Sequence, residues 1–169
     1  FLPVLNPIAM RMHSQDYPIE TARYRASVTT DCNMNRKWGL GEDSYAGIVA
    51  DSVAEHFVEH ADAVVDLHGW SSVSSAWGAA VDRDLVLAFG LRVSQLRPAD
   101  VAPTPSMFEA YVQSKGIPFV LAELAPQNLL DRTTIGECER GLLNVMRHLN
   151  ILDGSLVLPP EQVLTTMGC

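Results

Sequence analysis

A chain of 169 residues, 47% apolar and 19% charged, has the material for a buried core and is too apolar for a disordered segment. Its formal net charge of -8 argues against a nucleic-acid partner, because phosphate binding needs a positive field. No apolar run of about 18 residues occurs, so no membrane-spanning helix is expected.

Three cysteines, Cys32, Cys138 and Cys169, show no C-x-x-C spacing and cannot all pair with one another. That usage points to a reducing, cytoplasmic setting. The opening Phe-Leu-Pro-Val-Leu and the stop at Met167-Gly168-Cys169 read as cuts through a larger domain.

Phe1 to Leu5 is a short apolar run closed by Asn6-Pro7, which predicts a strand stopped by proline. Arg11 to Thr30 carries no periodicity and reads as a long irregular segment, a length at which loops often carry function. From Ser44 to His60, residues Ala46, Val49, Ala50, Val53 and Phe57 recur at helical spacing. Ala63 to Leu67 is a β-branched run ending at His68-Gly69. Asp84 to Phe89, closed by Gly90, reads as a short helix, with strand the competing reading. Arg97 to Pro105 is irregular. Ser106-Met-Phe-Glu109 has the form of a capping box, with Gly116 where the helix should stop. Ile117 to Leu124 is a strand ending at Ala125-Pro126. Thr134-Ile-Gly-Glu137 is a second capping box, opening a helix whose Leu142, Val145, Met146 and Leu149 face one way. From Leu156 onward, Pro159-Pro160 marks a linker or the start of a further region. The expected division is therefore residues 1–155, a partial α/β domain, and 156–169.

Strands alternating with helices imply an α/β fold, a mostly parallel or mixed sheet flanked by helices. Such sheets place ligands beyond the carboxyl ends of their strands. Three expected strands end there in polar groups: Asn6, His68 and Glu123. An imidazole at a strand end suits a metal ligand, though a structural, hydrogen-bonded histidine is the plainer alternative. A carboxylate inside an apolar strand is costly unless paired or used, and one beside a metal-bound water can act as general base. Asn33-Met-Asn35-Arg36 could grip a substrate carboxylate through amide and guanidinium, or form a polar turn.

Val4-Leu-Asn-Pro7, Asn33-Met-Asn-Arg36-Lys-Trp38, Asp66-Leu-His68-Gly and Glu123 after an apolar strand occur in that order. This set resembles the succinylglutamate desuccinylase/aspartoacylase branch of the zinc carboxypeptidase-like superfamily. The helix around Gly141-Leu-Leu-Asn144-Val-Met-Arg147 is similar as well. The resemblance covers about residues 1–150. It implies a zinc-dependent (Zn2+) amidohydrolase, a deacylase acting on an N-acyl amino acid or similar small N-acyl carboxylate. Asn35 and Arg36 would bind the substrate carboxylate, His68 would supply a zinc ligand, and Glu123 would be the catalytic base. The family's first two zinc ligands lie in an H-x-x-E motif before the Asn-Pro strand, outside this chain. The chain by itself is thus expected to be inactive. Asn33 stands where the family has Asp, and Gly39-Leu40 where it has Pro-Gly. The alternatives are a carboxypeptidase trimming peptides and a non-catalytic binding domain of the same fold. The implied partner is a small N-acyl substrate, with no nucleic acid and no membrane; a homo-oligomer is compatible with the sequence.

Two other histidine motifs compete for a metal. His56-Phe-Val-Glu59-His60 spells H-x-x-E-H with both histidines one helical turn apart, and Glu137 as a conceivable third ligand. His13-Ser-Gln-Asp16 is a weaker stand-in for H-x-x-E. Arg23 and Arg25 are candidates for stabilising an oxyanion.

Overall fold

The computed structural model describes residues 4–12, 33–70, 76–98, 100–126 and 131–166. The chain divides into two units, Phe1–Asp62 with Ala102–Ile117, and Ala63–Val101 with Pro118–Cys169.

In the first unit, Val4 and Leu5 are not in a strand, and residues 1–3 lie outside the described part. Asn6-Pro7 opens a short helix, α1 (Pro7–Met12), rather than closing a strand. The Asn6 side chain accepts from Ala9 N at 3.1 Å, and proline is tolerated at a first helical position because its missing N–H would be unpaired there anyway. A 3-10 turn spans Met34–Arg36, with Asn33 as its cap. Helix α2 (Tyr45–His56) starts at Ser44, whose hydroxyl accepts from Gly47 N.

The buried stripe of α2 is Ala46, Ala50 and Ala54, at 0%, 0% and 4% exposure, so its small residues face inward. Phe57, expected in that stripe, is 52% exposed. The helix stops at His56, and Phe57 leaves helical geometry at φ -129°, ψ -55°. A separate 3-10 turn follows at Val58–His60.

Helix α4 (Phe108–Ser114) is not opened by the expected Ser106 capping box. Ser106 has φ 63° and its hydroxyl donates to Pro105 O. Asn35 Oδ1, 73 residues earlier, instead accepts from Phe108 N at 2.7 Å. Trp38, 3% exposed, packs against Phe108 and Tyr111 of the same helix, with ring centroids 4.3 and 6.0 Å away.

The second unit is built on a five-stranded sheet in the order β1-β4-β2-β3-β5. The strands are β1 (Val64–Trp70), β2 (Trp77–Ala80), β3 (Val93–Leu96), β4 (Phe119–Pro126) and β5 (Val163–Thr166). Pairs β1–β4, β2–β3 and β3–β5 are parallel, and β2–β4 is antiparallel. The sheet is therefore mixed. Strand β5 comes from segment 156–169, expected as a linker or the start of a further region.

Helix α3 (Arg83–Phe89) is capped by Asp82, whose carboxylate accepts from Asp84 N and Leu85 N. It closes at Gly90 with φ 84°, a left-handed conformation that strains any residue with a Cβ. Helix α5 (Arg132–His148) begins at Asp131, which accepts from the backbone N and the hydroxyl of Thr134. The expected capping box at Thr134 thus lies one turn inside the helix. Along α5 the buried positions are Gly141, Asn144 and Val145, whereas Met146 is 38% exposed.

The core gathers Ala80, Val120 and Ala122 from one face of the sheet with Leu85, Val86, Phe89, Leu91 and Val145. Because side chains alternate along a strand, the opposite face carries Asp66 and His68 of β1, Leu121 and Glu123 of β4, and Trp77 of β2. Among the described residues, no helix is long and apolar enough to cross a membrane.

Candidate functional site

Strands β1 and β4 run side by side in parallel, and their register pairs His68 with Glu123. Two apolar runs far apart in sequence thus deliver an imidazole and a carboxylate to neighbouring positions on one face, toward the carboxyl ends of both strands. The register shifts between His68 and Trp70, an irregularity of the sort that re-aims side chains beside sites.

Three side chains meet here. His68 Nε2 lies 3.0 Å from Asp66 Oδ2, and His68 Nδ1 lies 3.6 Å from Glu123 Oε1. The first distance is a hydrogen bond; the second is too long for one. Nε2 donates to Asp66, and Nδ1 faces Glu123 Oε1. The His68 side chain is 36% exposed and that of Glu123 only 7%.

Glu123 Oε2 is buried and has no hydrogen-bond partner among the described residues. Burial pushes the Glu123 carboxyl above the usual carboxylate range, with the nearby Asp66 adding to the rise and His68 opposing it. The hydrogen bond that His68 donates to Asp66 holds the imidazole above its ordinary value, partly offset by burial. A half-open imidazole beside a buried carboxyl, one of whose oxygens has no partner among the described residues, is an arrangement that can pass a proton.

The donor set also fits one arm of a metal site. An imidazole with one nitrogen tied to a carboxylate and the other left as a lone pair is the usual form of a ligating histidine. Among the described residues, no group of three or more His, Cys, Asp or Glu is placed to hold a metal, so His68 contributes a single arm.

Asn35 and Arg36 belong to the first unit. Besides capping α4, Asn35 offers its backbone carbonyl to Arg36 Nη1 at 2.8 Å. His56 and His60 do not form the expected helical pair. The helix ends between them, His56 Nδ1 bonds to Ser52 O of its own helix, and Glu59 accepts from Tyr111 and Lys115. His13, Asp16, Arg23 and Arg25 lie outside the described residues.

Asp66 entered the sequence reading only as part of a motif, and Trp77 not at all. The signal for Asp66 was present, since residues two apart on a strand share a face. Trp77 becomes a neighbour of Glu123 only through the β2–β4 register.

No family model and no curated protein matches the sequence. Solved structures do. The product-bound ectoine utilization protein EutE (DoeB) from Ruegeria pomeroyi is similar with a TM-score of 0.80 at 24% identity, over 99% of this chain and 51% of that one. A succinylglutamate desuccinylase from Silicibacter sp. matches with a TM-score of 0.75 at 23% identity, over 94% and 49%. A succinylglutamate desuccinylase/aspartoacylase from Rhodobacter sphaeroides gives 0.72 at 20%, over 92% and 46%. The chain spans about half the length of these structures. At such identities the likeness speaks for the fold, and the fold of this chain is that of the succinylglutamate desuccinylase/aspartoacylase proteins.

Proposed function

We propose that the chain carries part of the catalytic site of a zinc-dependent deacylase that hydrolyses the amide of an N-acyl amino acid or similar small N-acyl carboxylate. The observation that carries this reading is Glu123, a buried carboxylate whose Oε2 has no hydrogen-bond partner among the described residues, in register with His68. The fold likeness to desuccinylase and aspartoacylase structures supports the same class.

In this reading Glu123 takes a proton from the attacking water on a carboxylate oxygen and returns it to the leaving amine. Its raised proton affinity suits both steps, because a base must hold the proton long enough to deliver it. Asp66 fixes the His68 ring by accepting from Nε2, which keeps Nδ1 available as a ligand. His68 would hold the zinc, whose chemistry when bound is Lewis acidity toward the acyl carbonyl and toward water. Asn35 and Arg36 orient the substrate through its carboxylate.

The test is hydrolysis of N-acyl amino acids by this chain joined to a segment that carries an H-x-x-E motif, with zinc supplied and with zinc chelated. Glu123→Gln should lower kcat by about a hundred- to ten-thousandfold while zinc content, read by atomic absorption, stays near one per chain. Turnover by the Gln variant within a few-fold of wild type removes Glu123 as the base.

A further inference from the structure

Strand β2 runs antiparallel to β4, and this has a consequence at the site. The amino end of β2 lies beside the carboxyl part of β4, and its first residue, Trp77, registers with Glu123. Residues directly opposite on antiparallel strands project to the same face, with Cβ atoms about 4.5–5.5 Å apart. Trp77 thus shares one face with Asp66, His68 and Glu123. The other three residues of β2, Gly78, Ala79 and Ala80, are small and buried, whereas Trp77 is half-buried. The strand's one large side chain therefore stands at the edge where the proton-transfer groups stand.

An indole in that position is a poor host for an anion. Its ring face carries partial negative charge, and the residue directly opposite it, Glu123, bears a carboxyl. A substrate carboxylate is better held elsewhere, by a guanidinium. What the indole offers is flat apolar area beside the carboxylate that handles the proton.

We infer that Trp77 is a specificity-determining residue, forming an apolar wall that contacts the acyl chain of the substrate and favours uncharged alkyl acyl groups over those ending in a second carboxylate. This deepens the deacylase reading and rests on it. The plainer alternative is that Trp77 only fills space on the sheet.

In this chain joined to a segment that carries an H-x-x-E motif, the experiment measures equilibrium binding by calorimetry, and initial rates, for the N-formyl, N-acetyl, N-propionyl, N-butyryl and N-succinyl derivatives of one amino acid. Wild type, Trp77→Phe and Trp77→Ala are compared. In wild type, each added methylene should lower Kd and KM by about fourfold, the factor for burying one CH2, and the succinyl compound should bind more weakly than the butyryl. In Trp77→Ala that dependence should fall below about twofold per methylene, with KM moving more than kcat. An unchanged dependence in Trp77→Ala overturns the inference while leaving the deacylase reading in place. Tighter binding of the succinyl than of the butyryl compound also overturns it. Trp77-dependent binding without hydrolysis supports the wall and removes the deacylase reading. Binding of none of the compounds overturns both. Should circular dichroism show Trp77→Ala unfolded, the ratio of acetyl to butyryl Kd in Trp77→Phe decides. A drop of about half supports the contact, and an unchanged ratio overturns it.

Discussion

Glu123 is 6% exposed, with Oε2 unpaired among the described residues, and burial is the largest cause of its raised proton affinity. A carboxyl whose folded-state value lies above its ordinary 4.5 binds its proton more tightly folded than unfolded. Its contribution to stability is present in acid and is lost as pH rises from 4.5 through the folded-state value. In metal-free protein, Glu123→Gln should therefore melt higher than wild type at pH 7, with the gap closing as pH falls below 4.5. Calorimetric scans at pH 4 and 7 would check this, and a Gln variant that melts lower at pH 7 would mean the charge has a partner. His68 behaves in the same direction. Its bond to Asp66 raises it above 6.5, so that stabilisation is full below 6.5 and fades as pH rises past the folded value.

Helices α3 and α5 show how one small residue sets an approach. A Cβ at Gly141 would stand 2.5 Å from two ring atoms of Phe89, whereas one at Gly136 on the same helix meets nothing within 4 Å. Alanine raises helix stability over glycine by about 1 kcal/mol. Overpacking a well-filled contact costs about 1–3 kcal/mol, and an aromatic ring cannot fold out of the way. The two substitutions should therefore differ in sign. Gly136→Ala should raise the melting temperature by about 2–4 °C, and Gly141→Ala should lower it by a few degrees. A Gly141→Ala protein as stable as Gly136→Ala would show that the α3–α5 contact is loose. Helix starts teach a related lesson. Ser106 and Thr134 both match the capping-box pattern, yet α4 takes its cap from Asn35 and α5 from Asp131.

At the scale of the whole chain, the proposed substrate grip and the proposed chemistry fall in different units: Asn35 and Arg36 in one, His68 and Glu123 in the other. Kinetics can ask whether one substrate uses both. A lysine keeps the charge of Arg36 but lacks its planar fork. Losing one charge-assisted hydrogen bond, about 1.5 kcal/mol, corresponds to about tenfold. Arg36→Lys should thus raise KM for a carboxylate-bearing N-acyl substrate about tenfold or more. An unchanged KM would take Arg36 out of substrate binding.

The sequence by itself determined the local features. The apolar runs at Ala63–Leu67 and Ile117–Leu124 became β1 and β4, the helical stripe from Ser44 became α2, and Gly90 and Gly116 marked helix ends, both at positive φ. These follow from side-chain periodicity and backbone freedom, which neighbouring residues set among themselves. Strands β2, β3 and β5 are four residues each, too short for alternation to stand out, and only pairing with β4 or with each other makes them strands. For the same reason His68 and Glu123 were legible as separate polar residues in apolar runs, but their adjacency was not. Register between strands 55 residues apart is a property of the sheet, settled by which faces bury apolar area. Asp66 as the partner of His68 and Trp77 as the neighbour of Glu123 exist only once that register is set.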